Sequence, residues 1–204
     1  MKKVLFSIGL AILGFSNVNA QEVKFGAKAG VNLARFAGDD LEDVENLLGF
    51  NVGAFAEISI SEKFIFQPEL LYSTQGASSR EEFGGDDFEN NIKTSYLNVP
   101  LMLKFAASDR FMLELGPQVG FLLSAKSEVK GEMDGSSFSV EEDVKDSFKS
   151  VDFGLNFGAS FYIVENIFIA GRYNLGLSSI ADGEDSEDVN VKNSVFSFSL
   201  GYRF

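Results

Sequence analysis

The residues best suited to acid–base chemistry in this sequence are four carboxylates and the bases that could pair with them. The carboxylates are Glu57, Glu69, Glu114 and Asp152. The bases are Lys24, Lys28, Lys104, Arg172 and Arg203. Two carboxylates held side by side can act as general acid and general base, whereas carboxylates paired with lysine or arginine form a structural network. Because the sequence has no histidine and no cysteine, the commonest general base and the thiol nucleophile are missing, and we do not expect an enzyme.

All of these residues lie on the polar side of segments in which apolar and polar residues alternate. This period is typical of β-strands with two unlike faces. Eight segments show it, namely 24–35, 50–60, 64–75, 94–105, 111–124, 150–163, 167–177 and 193–204. Their lengths match or exceed the roughly 9–11 residues that a tilted strand needs to cross a membrane.

The connections between these segments alternate in length. Four are long and acidic (36–49, 76–93, 126–149 and 178–193), and three are short (61–63, 106–110 and 164–166). This arrangement is typical of bacterial outer-membrane barrels with both chain ends on the periplasmic side. The sequence therefore predicts an all-β fold, an eight-stranded antiparallel up-and-down transmembrane β-barrel. Within its strands, Pro68, Pro100 and Pro117 predict local bulges or weakened pairing.

Glycine indicates which face of the strands points inward. The polar face holds most of the strand glycines, including Gly26, Gly120 and Gly158, and a narrow barrel has little internal room for side chains. With the polar face inside, the sequence predicts an interior charge network of Lys28, Glu57, Glu69, Lys104, Glu114, Asp152, Arg172 and Arg203. Glu69 with Arg172 is the first pair we expect. A filled interior is favoured, and a hydrated channel is the alternative.

Residues 1–20 have the composition of a secretory signal peptide. Lys2 and Lys3 precede the apolar run "VLFSIGLAILGF", and small residues lead to a cleavage site after Ala20. We expect this peptide to be removed, which leaves residues 21–204 as the barrel domain.

Acidic residues are concentrated in the long connections, and the net charge is −13. Without a basic patch, nucleic acid is not an expected partner. The runs "GDDLEDVEN" (38–46) and "DGEDSEDVN" (182–190) lack the spacing of calcium-binding loops, so we predict solvated loops, no metal site and no cofactor. Loose bridging of divalent ions to lipopolysaccharide phosphates is a hypothesis, and a protein partner could bind at the acidic loops.

Several segments are also familiar as a set: "QPELLYS", "SYLNVPLMLKF", "FMLELGPQVGFLL", "VDFGLNFGASF", "RYNLGLSSI" and "FSFSLGYRF". Together they resemble the outer-membrane β-barrel family of Bacteroidota that is often labelled porin family or PorT-like. The resemblance implies a small eight-stranded barrel integral to the outer membrane, in contact with its lipid and lipopolysaccharide. It also implies that Tyr202 and Phe204 form the C-terminal signal read by the barrel-assembly machinery.

These observations support one leading function and three alternatives. The leading hypothesis is a small outer-membrane barrel with a filled polar interior and acidic extracellular loops, in a structural, adhesive or other surface-interaction role. The alternatives are a narrow porin-like channel for small solutes, an accessory component of a secretion complex of the type IX, PorT-like kind, and a soluble ligand-binding barrel.

Overall fold

The computed structural model describes residues 23–38, 44–83, 86–133, 136–182 and 190–204. The predicted signal peptide, residues 1–20, and much of both acidic runs lie outside the described residues. Within these ranges, no helix is both long enough and apolar enough to cross a membrane.

The described residues form nine strands and a single turn of 3-10 helix at Lys145–Ser147. The strands are β1 (Val23–Gly38), β2 (Val44–Ser59), β3 (Phe64–Phe83), β4 (Asp86–Ala106), β5 (Phe111–Met133), β6 (Ser136–Asp143), β7 (Val151–Val164), β8 (Ile167–Gly176) and β9 (Val191–Arg203). Each of the eight predicted segments lies largely within one of these strands.

Eight of the strands close into a ring, which confirms the predicted antiparallel barrel. Its order is β1, β2, β3, β4, β5, β7, β8 and β9, and antiparallel pairing of β9 with β1 completes it. The remaining strand, β6, pairs with the outer part of β5 beyond the point where β7 ends. The ring therefore has the up-and-down topology expected from the alternating connections.

The apolar face of the strands points outward and the polar face points inward. Outward side chains that are large, apolar and exposed include Val31, Leu33, Phe50, Val52, Leu70, Leu101, Leu103, Leu113, Leu115, Phe157, Phe198 and Leu200. Inside the ring, buried side chains are mostly amides, hydroxyls and charged groups. A soluble ligand-binding barrel would show the reverse arrangement, so that alternative is wrong.

Three of the predicted loops are in fact largely strand. Residues 36–49 contain the end of β1 and the beginning of β2. Residues 76–93 continue β3 to Phe83 and return from Asp86 in β4, and residues 126–143 form the paired ends of β5 and β6. Their strand character is hidden in the sequence because no lipid covers one face, so polar residues occupy both faces and the alternation fades.

The prolines leave the register of the barrel unchanged, so of the two predicted effects bulges are wrong, whereas weakened pairing is found at Pro68. Pro68 pairs with Leu101, Pro100 with Gln118 and Pro117 with Leu155, without a shift at any of them. The β3–β4 ladder is interrupted beyond Pro68 and resumes in the same register at Leu71, as expected where a backbone donor is missing. Register shifts occur elsewhere, between Asn46 and Asn51, Ser95 and Tyr96, and Tyr162 and Val164.

Replacing Leu101 by arginine should test the outer belt. Leu101 lies midway along the outward row from Leu97 to Phe105 and is 41% exposed. An arginine near the middle of a bilayer costs roughly 2–4 kcal/mol. Val140→Arg on β6, outside the ring, is the matched control, and we expect it to change the unfolding free energy little. Denaturant unfolding in lipid bilayers measures both, and an equal loss in the two variants would contradict a lipid-facing belt.

Candidate functional site: the barrel interior

Arg172 on β8 lies at the centre of the charged interior. Its Nη1 and Nη2 donate to the two carboxylate oxygens of Glu69 on β3, at 2.9 and 3.0 Å. Nη2 also donates to Oε2 of Glu114 on β5, at 2.6 Å. The Lys28 ammonium on β1 lies 2.6 Å from Glu69 Oε2. One guanidinium therefore bridges two carboxylates that would otherwise repel each other.

Lys104 on β4 extends this network toward the periplasmic end. Its Nζ lies 3.0 Å from Glu57 Oε1 and 3.5 Å from Glu114 Oε1. It also donates to Gln67 Oε1 at 3.0 Å and to the Tyr162 hydroxyl at 3.3 Å, and its side chain is fully buried. Every strong interaction of this ammonium group is thus made inside the barrel.

Arg203 and Tyr162 bring the two remaining strands of the ring, β9 and β7, into the network. Arg203 Nη1 on β9 donates to Glu57 Oε2 at 3.0 Å, and the Tyr162 hydroxyl on β7 donates to Glu57 Oε1 at 2.5 Å. With these contacts, all eight strands of the ring contribute a side chain to one connected set of hydrogen bonds and ion pairs. Such a set is most simply structural, since each carboxylate is held by cations rather than free to exchange protons with a substrate.

Asp152 differs from the expectation, because the structure places it apart from this network. It lies in the outer half of the barrel, where Ser178 Oγ donates to Oδ1 at 3.1 Å and Asn193 Nδ2 donates to Oδ2 at 2.9 Å. In the described part of the chain, Asp152 forms no ion pair with lysine or arginine. Alternation assigns a residue to a face of a strand but not to a height along the barrel axis.

An aromatic layer on the periplasmic side of Lys104 is not predicted from the sequence. Phe55, Met112, Tyr162 and Phe168 are buried together inside the ring. The Lys104 Nζ lies 5.0 Å from the centre of the Phe168 ring and 5.3 Å from that of Tyr162, so the ammonium also interacts with two aromatic faces.

Two glycines make room for this layer. Gly26 pairs with Phe55, and Gly201 pairs with Phe168. A Cβ atom at either glycine would collide with the Cζ atom of the paired ring. Aromatic residues at polar-face positions opposite glycines are the sequence signal that could have revealed this layer.

Amides and hydroxyls fill the middle of the barrel. Asn51 donates to Asn32 at 2.7 Å, and Asn32 donates to Ser73 at 3.0 Å. On the opposite side, Asn174 donates to Asn156, and Asn156 donates to Gln118, each at 3.1 Å. Three of these bonds join strands that are already paired through their backbones, whereas the bond from Asn32 to Ser73 links β1 with β3, across β2. All four add cross-links inside the ring.

Apolar residues cover the extracellular end. Phe36, Ala77 and Ile180 form a buried cluster against which Phe148 packs, and Ile180 is fully buried. The chain before β7 is held to the chain after β8 by backbone bonds of 2.8 Å from Lys149 to Ile180 and 2.9 Å from Asp182 to Ser147. We call residues 144–150 and 177–182 the outer cap.

The periplasmic end has an open pocket of about 380 Å³. Its wall includes Met112, Tyr162 and Arg203, members of the aromatic layer and the charge network. The pocket therefore ends where the packed interior begins.

The predicted assembly signal lies at the end of β9. Tyr202 and Phe204 are exposed on the outer surface with ring centres 5.6 Å apart, and the Phe204 backbone N–H donates to the carbonyl of Phe25 at 2.8 Å. In the described ranges, no group of three or more acidic side chains is arranged to hold a metal ion.

Replacing Lys104 by methionine should show what the network contributes. Methionine has a similar length but leaves Glu57 and Glu114 short of a cation, and breaking a buried ion pair by removing one partner costs about 3–5 kcal/mol. Lys126→Met is the matched control, because Lys126 makes an exposed pair with Glu141 at 2.6 Å and its loss should change stability little. Unfolding free energies in the same bilayers decide the matter, and equal effects of the two substitutions would contradict a stabilising network.

Comparison with known proteins agrees with this architecture. A family model described as "Outer membrane protein beta-barrel domain" matches residues 19–182. No curated protein matches the chain.

Similar solved structures include Ail, the attachment invasion locus protein of Yersinia pestis, with 17% identity, a TM-score of 0.49, and coverage of 90% of this chain and 99% of that one. A major outer membrane protein from Thermus thermophilus has 14% identity, a TM-score of 0.49, and coverage of 90% and 100%. Neisserial surface protein A has 15% identity, a TM-score of 0.46, and coverage of 90% and 99%. The family model spans most of the chain, and the chain belongs to the outer membrane protein beta-barrel domain family as an integral outer-membrane barrel.

Proposed function

We propose that this protein is a closed, non-conducting barrel that presents a β-sheet outside the cell for interaction with other molecules. The observation that carries the proposal is a sheet that continues beyond the ring and ends, in the described part of the chain, in a strand with one unpaired edge. Charge and hydrogen bonding in that strand indicate the kind of partner.

The interior leaves little room for a solute path. The aromatic layer, the charge network, the amides and the outer cap follow one another from the periplasmic end to the extracellular end. Gln67 and Lys104 are fully buried in the middle of this series. An eight-stranded barrel is just wide enough to be filled by its own side chains, which supports a plugged barrel over the narrow-channel alternative.

The extracellular sheet is built from the outer ends of β3, β4, β5 and β6. Its ladders run from Gly76 paired with Lys93 to Phe83 paired with Asp86, and from Lys126 paired with Asp143 to Met133 paired with Ser136. Long paired strands outside the membrane form a more rigid surface than solvated loops would.

Ion pairs stabilise one face of this sheet. The Glu128 carboxylate lies 2.5 Å from Lys93 Nζ and 3.1 Å from Lys130 Nζ. Hydrogen bonds from these two ammonium groups hold the pKa of Glu128 below its ordinary value, and the Glu141 carboxylate raises the pKa of Lys126. On the other face, Phe88 and Phe138 lie with ring centres 6.2 Å apart.

β6 is the edge of the sheet. In the described part of the chain it pairs with β5 alone, so the backbone groups on its other side are unpaired. Natural proteins usually block the exposed edges of their sheets. An edge that is left open can pair with an extended peptide, which then adds a strand to the sheet. The exposed Glu141, Glu142 and Asp143 at the end of β6, together with the net charge of −13, favour a basic partner.

A synthetic peptide of alternating lysine and valine tests this proposal. We expect it to bind the refolded barrel in detergent micelles, with an affinity that falls as salt is added. The same peptide methylated on alternate backbone nitrogens should not bind, because it cannot complete a ladder. Fluorescence anisotropy of the labelled peptides measures both affinities.

Two charge reversals serve as matched variants. Glu142→Lys on β6 should weaken binding of the lysine–valine peptide, whereas Glu62→Lys in a periplasmic turn should leave it unchanged. Equal binding of the methylated and unmethylated peptides would contradict strand addition, and equal effects of the two reversals would contradict binding at β6.

The finer assignments made from the sequence remain part of this proposal. We infer export by the signal peptide of residues 1–20, assembly guided by Tyr202 and Phe204, contact with lipopolysaccharide at the outer rim, and membership of the Bacteroidota PorT-like group. The proposal does not include a role in a type IX secretion complex, because short periplasmic turns such as 107–110 offer little surface to a partner. The absence of histidine and cysteine favours a role without catalysis.

A further inference from the structure

Asp152 is a buried carboxylate whose negative charge is not balanced by a cation among the described residues around it. Its carboxylate is 5% exposed, and its hydrogen-bond donors, Ser178 and Asn193, are neutral. A buried carboxylate is normally paired with a cation or bound to a metal ion. In the described part of the chain, no lysine or arginine forms an ion pair with Asp152.

The charge network of the barrel is too far away to compensate for it. That network has one cation in excess, because Lys28, Lys104, Arg172 and Arg203 face Glu57, Glu69 and Glu114. However, Asp152 is six residues along β7 from Gly158, the partner of Glu114. Six residues of strand span about 20 Å, a distance at which the Coulomb interaction is weak compared with that of a direct pair.

Two neutral polar side chains, Asn98 and Tyr96, lie beside Asp152 across Gly120. Gly120, the cross-strand partner of Asp152, has no side chain, and the Oδ1 atom of Asn98 lies 2.7 Å from where its Cβ would be. A Cβ there would also lie 3.3 Å from Tyr96 Cδ1 and 3.6 Å from Asp152 Cβ. Asn98, Tyr96 and Asp152 therefore converge over Gly120, and all three are more than nine-tenths buried.

One of these groups lacks the partner that a buried polar group normally has. The Tyr96 hydroxyl lies near Asn193 but has no partner with normal hydrogen-bond geometry in the described ranges. Unsatisfied buried polar groups often mark the place of an ion or a water molecule. The carboxylate itself has four lone-pair positions and uses two of them.

We propose that Asp152, Asn98 and Tyr96 bind a small monovalent cation, sodium or potassium, beneath the outer cap. One carboxylate with neutral oxygens balances a single positive charge, whereas a divalent ion would leave an excess charge buried. The acidic extracellular surface raises the local concentration of cations at the entrance. Ser178 joins the site to the outer cap, because it bonds Asp152 two residues before the buried Ile180.

Thermal unfolding of the refolded protein in chloride salts tests this site. Sodium, potassium and N-methyl-D-glucamine are compared at equal ionic strength, and loss of the heat-modifiable gel shift reports unfolding. We expect the midpoint to rise with sodium or potassium and not with N-methyl-D-glucamine. Above the dissociation constant, each tenfold increase in the free concentration of sodium or potassium should raise the ratio of folded to unfolded protein about tenfold.

Three variants locate the effect. Asp152→Asn keeps the shape of the side chain without its charge and should abolish the cation dependence. Gly120→Ala should reduce it by displacing the Asn98 oxygen while leaving Asp152 intact. Asp143→Asn, which removes an exposed carboxylate on β6, should keep the full dependence.

Two results would overturn the proposal. One is equal stability of the unmodified protein in all three salts, which would indicate a neutral, protonated carboxyl at Asp152. The other is an undiminished cation dependence in Asp152→Asn, which would assign the effect to the acidic outer surface.

Discussion

The structure depends on the bridge that Arg172 makes between Glu69 and Glu114. In a ring of eight strands the inward side chains have neither bulk water nor lipid around them, so each charge must find its partner within the ring. Arg172 holds two carboxylates from β3 and β5, and these carboxylates in turn contact Lys28 and Lys104. A slip of one residue in any of these strands would turn its charge toward lipid, which makes the network a strong determinant of register.

Packing around the network closes the barrel at both ends. On the periplasmic side, Phe55 and Phe168 lie across Gly26 and Gly201, so large rings fit where two side chains would collide. On the outer side, Ile180 and Phe148 cover the mouth without adding charge. With the interior occupied in this way, the surfaces left for function are outside the membrane, and the sheet ending in β6 is the most regular of them in the described part of the chain.

The sequence predicts the barrel well because lipid and a polar interior impose opposite requirements on alternate residues. The segments 94–105 and 150–163 show this pattern and are strands in the structure. Where lipid is absent the pattern disappears, so the sequence predicts a loop where the structure has the hairpin of β5 and β6.

The side-chain contacts inside the barrel are harder to predict than the fold. Alternation shows that Glu69, Arg172 and Asp152 share the inward face of the strands. The stagger of the strands decides the position of each residue along the barrel axis. It brings Glu69 and Arg172 into contact and leaves Asp152 apart. The sequence does not predict that Phe55 and Phe168 point inward, because the cross-strand glycines that make room for their rings are identified only once the strand pairing is known.

Single-channel recording of the refolded protein in a planar bilayer tests the central claim most directly, that packed side chains close the interior. Heat-modifiable gel migration of the same sample confirms that the barrel is folded. The structure predicts a folded barrel without discrete conductance steps at any applied voltage that the bilayer tolerates. Steady, reproducible steps from the folded protein would contradict a closed interior and would give Lys104, Arg172 and their partners the role of lining a water-filled path.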